Sequence, residues 1–277
     1  MKITKQYKTV IISDIHLGTE GSKAKEVTQF LKSVTCETLI LNGDIIDGWQ
    51  LKKGSSWKKK HTAFFRIILK MIETQNTKVI YLRGNHDDFL DQIIPFSLGK
   101  SFSIQRDFIL KSGKKNFLII HGDIFDSITS KMKWLAYLGD VGYTFLLTIN
   151  KLYNQYRAWR GLDYYSFSQR IKQRVKLAVN YISDFEVKLA ELAKANHCQG
   201  IICGHIHKPD IRQIGDITYM NSGDWVESLS ALVEDHHGNW ELLYFLENDN
   251  LDLYDDDLEE PDNEAFTNAR SIYMSVA

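Results

Sequence analysis

The sequence predicts a layered α/β fold, and three observations lead to it. Five short apolar runs rich in β-branched residues, Val10 to Ile12, Thr38 to Leu41, Val79 to Leu82, Phe117 to Ile120 and Gly200 to Cys203, each have the length and composition of a buried strand. Between the first three lie Lys25 to Ser33 and Thr62 to Ile72, whose apolar residues recur at helical spacing, giving the βαβ alternation of a parallel sheet. From Ile211 through Phe245 short strand-like runs alternate with turns at Ile214-Gly215-Asp216 and His237-Gly238-Asn239. The expectation is a mainly parallel sheet faced by a second sheet and flanked by helices.

Bulk properties limit what such a fold does. At 277 residues, 44% hydrophobic and 25% charged, the chain is long enough for one large core. A formal net charge of -1 gives no global positive excess that would argue for nucleic acid. The three cysteines, Cys36, Cys198 and Cys203, are odd in number and lack CxxC spacing, so neither a disulfide framework nor a thiolate zinc site is supported. A reducing cytoplasm is the expected compartment. The N-terminus lacks the apolar core of a signal peptide. The most apolar later stretch, Val141 to Ile149, falls far short of the ~20 residues needed to span a bilayer. Any membrane contact is therefore expected to be peripheral.

The chain divides into a core of residues 1–126 and 196–246, an insertion of residues 127–195, and a tail of residues 247–277. The insertion lacks strand alternation and is expected to be helical. Between Lys131 and Lys176 it carries nine Lys or Arg against two acidic residues, interleaved with Trp134, Tyr137, Tyr153, Tyr156 and Trp159. An amphipathic subdomain with a solvated face has this composition, and so does a nucleic-acid surface. Glu247 to Glu264 holds ten acidic residues and no basic one, the composition of a solvated, disordered tail.

Each of the five strands ends in a polar cluster. In order these are Ser13-Asp14-Ile15-His16, Asn42-Gly43-Asp44 with Asp47, Gly84-Asn85-His86-Asp87, His121-Gly122-Asp123 and Gly204-His205-Ile206-His207. The carboxyl ends of strands form the ligand crevice of an α/β sheet, so the clusters are expected to converge. Imidazole together with carboxylate suits Mn, Fe, Zn or Co, whereas an all-oxygen set would suit Mg or Ca. Alternate residues leaving a strand point the same way, which favours the D-x-H and H-x-H spacings. Gly43, Gly84, Gly122 and Gly204 beside the candidate ligands would let the backbone turn and approach closely. Asp47 is open between a partner of the ligands and a helix N-cap. Asp123 and Asp224 have the character of structural carboxylates. His61, His197, His236 and His237 have no motif around them and are expected on the surface.

Taken together, D-x-H, G-D-x-x-D, G-N-H-D, H-G-D and G-H-x-H in this order resemble the calcineurin-like metallophosphoesterase superfamily, over roughly Lys8 to Asp224. The resemblance implies a two-sheet metallophosphoesterase sandwich flanked by helices, with the insertion as a helical cap. It also implies two divalent metal ions, most simply Mn with Fe, Zn or Co as alternatives. Asp14, His16, Asp44 and His207 would hold one, and Asp44, Asn85, His121 and His205 the other. Asp44 would bridge, because a shared carboxylate offsets the repulsion of two ions about 3.5 to 4 Å apart. His86 would act on the transition state or leaving oxygen, with Asp87 orienting it.

Asp88-Phe89-Leu90, the segment Asn221 to Glu227 and the position of the insertion resemble more closely the UDP-2,3-diacylglucosamine pyrophosphohydrolases of lipid A synthesis. That subgroup implies cleavage of a lipid-linked nucleotide to UMP and a lipid sugar phosphate. It also implies a cap that receives acyl chains, and peripheral contact with the inner face of the cytoplasmic membrane. Within the cap, Arg157, Arg160, Arg170, Lys172 and Lys176 are the candidate substrate contacts. One departure stands: the subgroup carries Arg where this chain has His86. The rival functions are a phosphodiesterase acting on nucleotides or nucleic acid, and a non-catalytic scaffold of the same fold.

Overall fold

Alternation along the central strands sorts their side chains into two opposed layers, and the whole architecture follows from that sorting. The computed structural model describes residues 5–125 and 184–245, with scattered positions from 153 to 182. Strands β1 (Lys5–Ile12), β2 (Val34–Asn42) and β3 (Lys78–Leu82) run parallel, with Val10 level with Leu39 and Ile40 level with Ile80. Val10, Ile12, Leu39, Leu41, Val79 and Tyr81 face one way and are buried under α1 (Ala24–Ser33) and α3 (Lys59–Gln75), among Val27, Leu31, Phe64, Ile68 and Met71. Ile11, Ile40, Ile80 and Leu82 face the other way, onto Phe117, Ile119, Ile202 and Met220 of a second sheet. Each fully buried aliphatic side chain contributes roughly 1.5–3 kcal/mol, so a register slip of one residue would exchange both layers at once.

The first sheet has seven strands in the order β12-β11-β1-β2-β3-β5-β4, and the second has five in the order β6-β7-β8-β10-β9. The second sheet is built on β7 (Lys115–Ile120), β8 (Gly200–Cys203) and β10 (Ile217–Asn221), which run parallel. β6 (Asp107–Ser112) and β9 (Asp210–Ile214) flank them antiparallel. β11 (Ser230–Glu234) and β12 (Trp240–Tyr244) join the first sheet antiparallel, as does β4 (Phe96–Leu98) beyond the parallel β5 (Phe102–Gln105). Both sheets are mixed, so the architecture is the expected two-sheet α/β sandwich with less parallel pairing than anticipated. The strands not foreseen, β4 to β6, are short and partly exposed, so no sustained apolar run marks them. The three cysteines are buried and unpaired.

A helix of residues 184–195, here α4, closes the outer face of the second sheet. Phe185, Leu189, Ala190 and Ala193 pack against Leu118, Ile120, Ile201, Cys203 and Tyr219. The final turns of the segment read as an insertion therefore belong to the sandwich, and the layers run α/β/β/α. The expectation of a helical cap otherwise lies outside the described residues, as does that of an acidic tail. Among the described residues no helix is long and apolar enough to cross a membrane.

One histidine departs from its expected surface position. His61 is fully buried, with its Nδ1 accepting the Lys58 N–H at 3.2 Å and the Trp57 ring 5.0 Å away. It occupies the third position of α3, where a side chain reaching back to the N-cap backbone caps the helix. The helix start, not a surface, explains it. His197, His236 and His237 are exposed, as expected.

Candidate functional site

The loops that leave β1, β2, β3, β7 and β8 meet at one end of the sandwich. The β1 and β2 loops lie side by side, with the N–H groups of Asp14, His16 and Leu17 donating to the carbonyls of Gly43, Asp44 and Ile45 at 3.0, 2.9 and 2.8 Å. Ile15, Leu17 and Ile45 are fully buried and anchor these loops, leaving Asp14, His16 and Asp44 to face the crevice. Holding them there strains the backbone. Asp14, His16, Asp44, His205 and His207 all have φ between 50° and 68°, the left-handed region, which costs a non-glycine residue on the order of 1 kcal/mol or more. Such outliers cluster at functional sites, and here they are five of the seven candidate ligands.

Three groups of side chains offer ligand atoms within 4.8 Å of one another: Asp14, His16 and His207; His16, Asp44 and His86; and Asp44, His121 and His205. His207 Nε2 is 3.1 Å from Asp14 Oδ1. Asp44 Oδ2 is 3.2 Å from His121 Nε2 and 3.9 Å from the Nε2 of both His16 and His86. His121 Nδ1 lies 2.9 Å from the Asn42 carbonyl, so that nitrogen donates and Nε2 is the one turned to the crevice, 3.3 Å from His205 Nδ1. The amide of Asn85 is buried with no hydrogen-bond partner among the described residues. A buried amide normally has partners, so this one fits a position beside a ligand.

Charge is concentrated in the same volume. Burial alone would raise the Asp14 carboxyl, but His207 and His121 outweigh it and hold the group at about 2. Asp44 behaves likewise, held well below the usual carboxylate range against burial by His121, His16 and His86. Reciprocally, burial would lower the imidazoles, yet Asp44 and Asp14 push His121 up to about 10, and Asp14 pushes His207 up to about 9.

Glycine is required where ligands crowd. A methyl at Gly84 would overlap the backbone nitrogen and Oδ1 of Asp44, and one at Gly204 would lie 2.5 Å from Asp14 Oδ2. Of the four glycines singled out, Gly43 and Gly122 also take positive φ.

The carboxylate beside His86 is not the expected one. Asp87 accepts from the N–H groups of Ile45, Ile46 and Gly84 at 3.1, 2.9 and 3.4 Å and from the Tyr81 hydroxyl at 2.9 Å, so both its oxygens are spent on the fold. Asp47 takes the position instead, with Oδ2 3.0 Å from His86 Nδ1 and 3.4 Å from His16 Nδ1. It also accepts the Gln50 N–H at 2.8 Å, capping the short helix α2 (Gly48–Lys52). Both alternatives open for Asp47 are therefore realised at once. Spacing hinted at this, since Asp47 lies three residues after Asp44, but only the fold brings it under His86. Trp49, next on α2, was not foreseen; its ring stands 4.3 Å from that of His86.

Asp123 and Asp224 are structural, as expected. Asp123 pairs with Arg83, and Asp224 accepts from the Val226, Glu227 and Ser228 backbone. The segment Asn221 to Glu227 buttresses the ligand loops from behind: Asn221 Nδ2 donates to the Gly204 carbonyl at 2.8 Å and the Trp225 N–H to the Asp14 carbonyl at 3.0 Å. Of the candidate substrate contacts, Arg157 lies over the Tyr153 ring at 5.7 Å and Arg160 ends the same helical turn. Arg170, Lys172 and Lys176 lie outside the described residues.

The family model for calcineurin-like phosphoesterase matches residues 7–209. The chain belongs to the calcineurin-like phosphoesterase family. It is thereby a hydrolase of phosphoester bonds, in a family whose members normally bind two divalent metals, and its His and Asp groups are candidate ligands. No curated protein matches it. Among solved structures the phosphoesterase is similar to a novel archaeal phosphodiesterase, at 14% identity and TM-score 0.41, covering 85% of this chain and 98% of that one. It is also similar to a Vps29 variant from Entamoeba histolytica, at 11% identity and TM-score 0.39, covering 86% and 99%. A hypothetical protein from Pyrococcus horikoshii OT3 matches at 9% identity and TM-score 0.44, covering 97% and 94%. Likeness at this level bears on neither substrate nor activity.

Proposed function

We propose that this phosphoesterase is a two-metal pyrophosphohydrolase, with Asp14, His16, Asp44 and His207 holding one ion and Asp44, Asn85, His121 and His205 the other. The observation that carries this reading is Asp44, whose Oδ2 lies 3.9 Å from His16 Nε2 of one proposed set and 3.2 Å from His121 Nε2 of the other. The orphaned amide of Asn85 supports the second position. Mixed imidazole and carboxylate donors accept Mn, Fe, Zn or Co, and the resemblance favours Mn among them. Bound ions supply charge neutralisation at phosphorus and a nucleophile from water at neutral pH.

The chain's own residues then divide the remaining work. His86 faces the crevice with Nε2 and is steadied at Nδ1 by Asp47, so a proton on Nε2 is positioned for the oxygen that leaves phosphorus. His86→Ala is expected to keep both metals and lower kcat by about a hundredfold or more, read by steady-state kinetics beside metal analysis. Loss of metal would assign His86 to the ligands instead.

Metal uptake has a proton signature. With His121 at about 10 and His207 at about 9, both imidazoles are protonated at pH 7 without metal, and a coordinating nitrogen must be free of its proton. Binding at pH 7 is therefore expected to release about two protons, and affinity to climb as pH rises toward 9. Calorimetry in buffers of different ionisation enthalpy measures the release. Affinity flat between pH 6 and 9 would contradict it.

For substrate, the motif set with Asp88-Phe89-Leu90 and Asn221 to Glu227 supports UDP-2,3-diacylglucosamine or a similar lipid-linked nucleotide, cleaved to UMP and a lipid sugar phosphate. Arg157 and Arg160, with Arg170, Lys172 and Lys176, would meet its phosphates, with peripheral contact at the inner face of the cytoplasmic membrane. Incubating Mn-loaded protein with UDP-2,3-diacylglucosamine and scoring UMP tests this. Strong hydrolysis of DNA or cyclic nucleotides without UMP release would make it a phosphodiesterase of another class. Failure on aryl phosphodiesters and pyrophosphates alike would leave a scaffold.

A further inference from the structure

From α2 into the first turn of α3, residues 49–61 carry five lysines, Lys52, Lys53, Lys58, Lys59 and Lys60, and no acidic residue. Lys60 is half-buried, its ammonium donating to the Ser22 carbonyl at 2.8 Å. Burial lowers its pKa first and the Lys58 charge lowers it further, against which Glu26 raises it, with Lys25 and Lys23 lowering it again. Glu26 near Lys60 and Asp88 beside Lys52 answer part of this charge, and the lysines outnumber them.

Trp57 stands in the middle of this segment, 41% exposed. Its indole N–H is donated to Thr62 Oγ1 at 2.9 Å, and its ring stacks on Phe65 with centroids 6.1 Å apart. The exposed remainder of the ring is hydrocarbon. Four residues after Phe65, on the same face of α3, Leu69 is 63% exposed. Trp57, Phe65 and Leu69 thus form an apolar ridge, and the exposed Lys58, Lys59, Arg66 and Lys70 lie along it. A merely solvated charged face explains the lysines but not an indole held rigidly at the surface beside an exposed leucine.

We propose that this ridge, with its basic flanks, is a docking face for an anionic lipid bilayer. Aromatic and aliphatic side chains settle at the boundary between headgroups and acyl chains while lysines meet the anionic headgroups. A polynucleotide would satisfy the lysines and offer a base to Trp57, but nothing for Leu69. None of its residues belongs to the segment 127–182. It adjoins the candidate metal-binding crevice through α2, which is capped by Asp47 and carries Trp49 against His86. A phosphoesterase docked here would present its crevice near the lipid surface. Bilayer binding does not depend on the identity of the substrate, and its test needs no turnover.

The experiment is co-sedimentation of the full-length protein with vesicles of equimolar phosphatidylglycerol and phosphatidylcholine, against pure phosphatidylcholine vesicles. Binding to the anionic vesicles alone, reversed by high salt, is expected. Lys53→Glu with Lys58→Glu should weaken it by more than about tenfold, because each lysine adds to the attraction of an anionic surface. Leu69→Glu should weaken it without touching the lysines. Neither variant alters a residue of the crevice, so unchanged melting temperature and aryl phosphodiester turnover verify that each is folded. Wild-type protein that ignores anionic vesicles would overturn the proposal. So would binding that survives both variants, or a preference for an oligonucleotide over the vesicles.

Discussion

Asp44→Asn is expected to strip the metals and to lower turnover by at least about a thousandfold, the size of effect that follows from losing the charge shared by two ions. The substitution is close to isosteric. Its amide oxygen can still accept the His86 N–H that Asp44 Oδ1 accepts at 2.8 Å, so the turn after β3 is kept. What disappears is the negative charge facing His121, His16 and His86, the three groups that hold this carboxyl ionised against burial. The loss is electrostatic, so metal content and turnover should fall while metal-free stability changes far less. Elemental analysis and kinetics on an aryl phosphodiester measure both. Two retained metals with unchanged activity would sink the assignment.

Asp87→Ala should have its large effect on stability instead. The carboxylate accepts three backbone N–H groups and a tyrosine hydroxyl, all inside the protein. Burial pushes the carboxyl up to about 7, the Asp44 charge adding to it, while the Ile45, Ile46 and Tyr81 donors pull the other way. Each buried donor left without an acceptor costs roughly 1–3 kcal/mol, and relaxation seldom lets one substitution exceed about 5 kcal/mol, so truncating the partner of four donors should cost about 4–5 kcal/mol. Urea unfolding of the metal-free protein measures it. A variant that unfolds like the wild type yet loses turnover would return Asp87 to the role of orienting His86.

The contrast between Asp87 and Asp47 marks how far local sequence reaches. Asp87 follows His86 directly, and adjacency suggested that it would serve it. Adjacent residues at a tight turn diverge, however: the chain sends His86 outward and Asp87 beneath the β2 loop, where backbone donors await it. Asp47 is 39 positions away from His86 in the chain and reaches it because β2 and β3 are parallel neighbours whose ends release their loops side by side. Likewise Trp49 covers His86 because the Gly48 N–H donates to the His86 carbonyl at 3.0 Å, a contact that no local pattern announces. The central strands were legible because both their faces are buried and so read as unbroken apolar runs. β4 to β6, short and half solvated, were not.

Local sequence specifies the chemistry of the crevice: which strands end in Asp, His and Asn, and that glycine accompanies them. Those signals are local, since ligand type and strand ends are written within a few residues. Packing in three dimensions sets which carboxylate serves which histidine and makes helix α4 part of the sandwich. It also brings Trp57, Phe65 and Leu69 onto one exposed ridge. Each of these depends on pairs of residues brought together by sheet order and helix packing, where the distance that matters is through space and not along the chain.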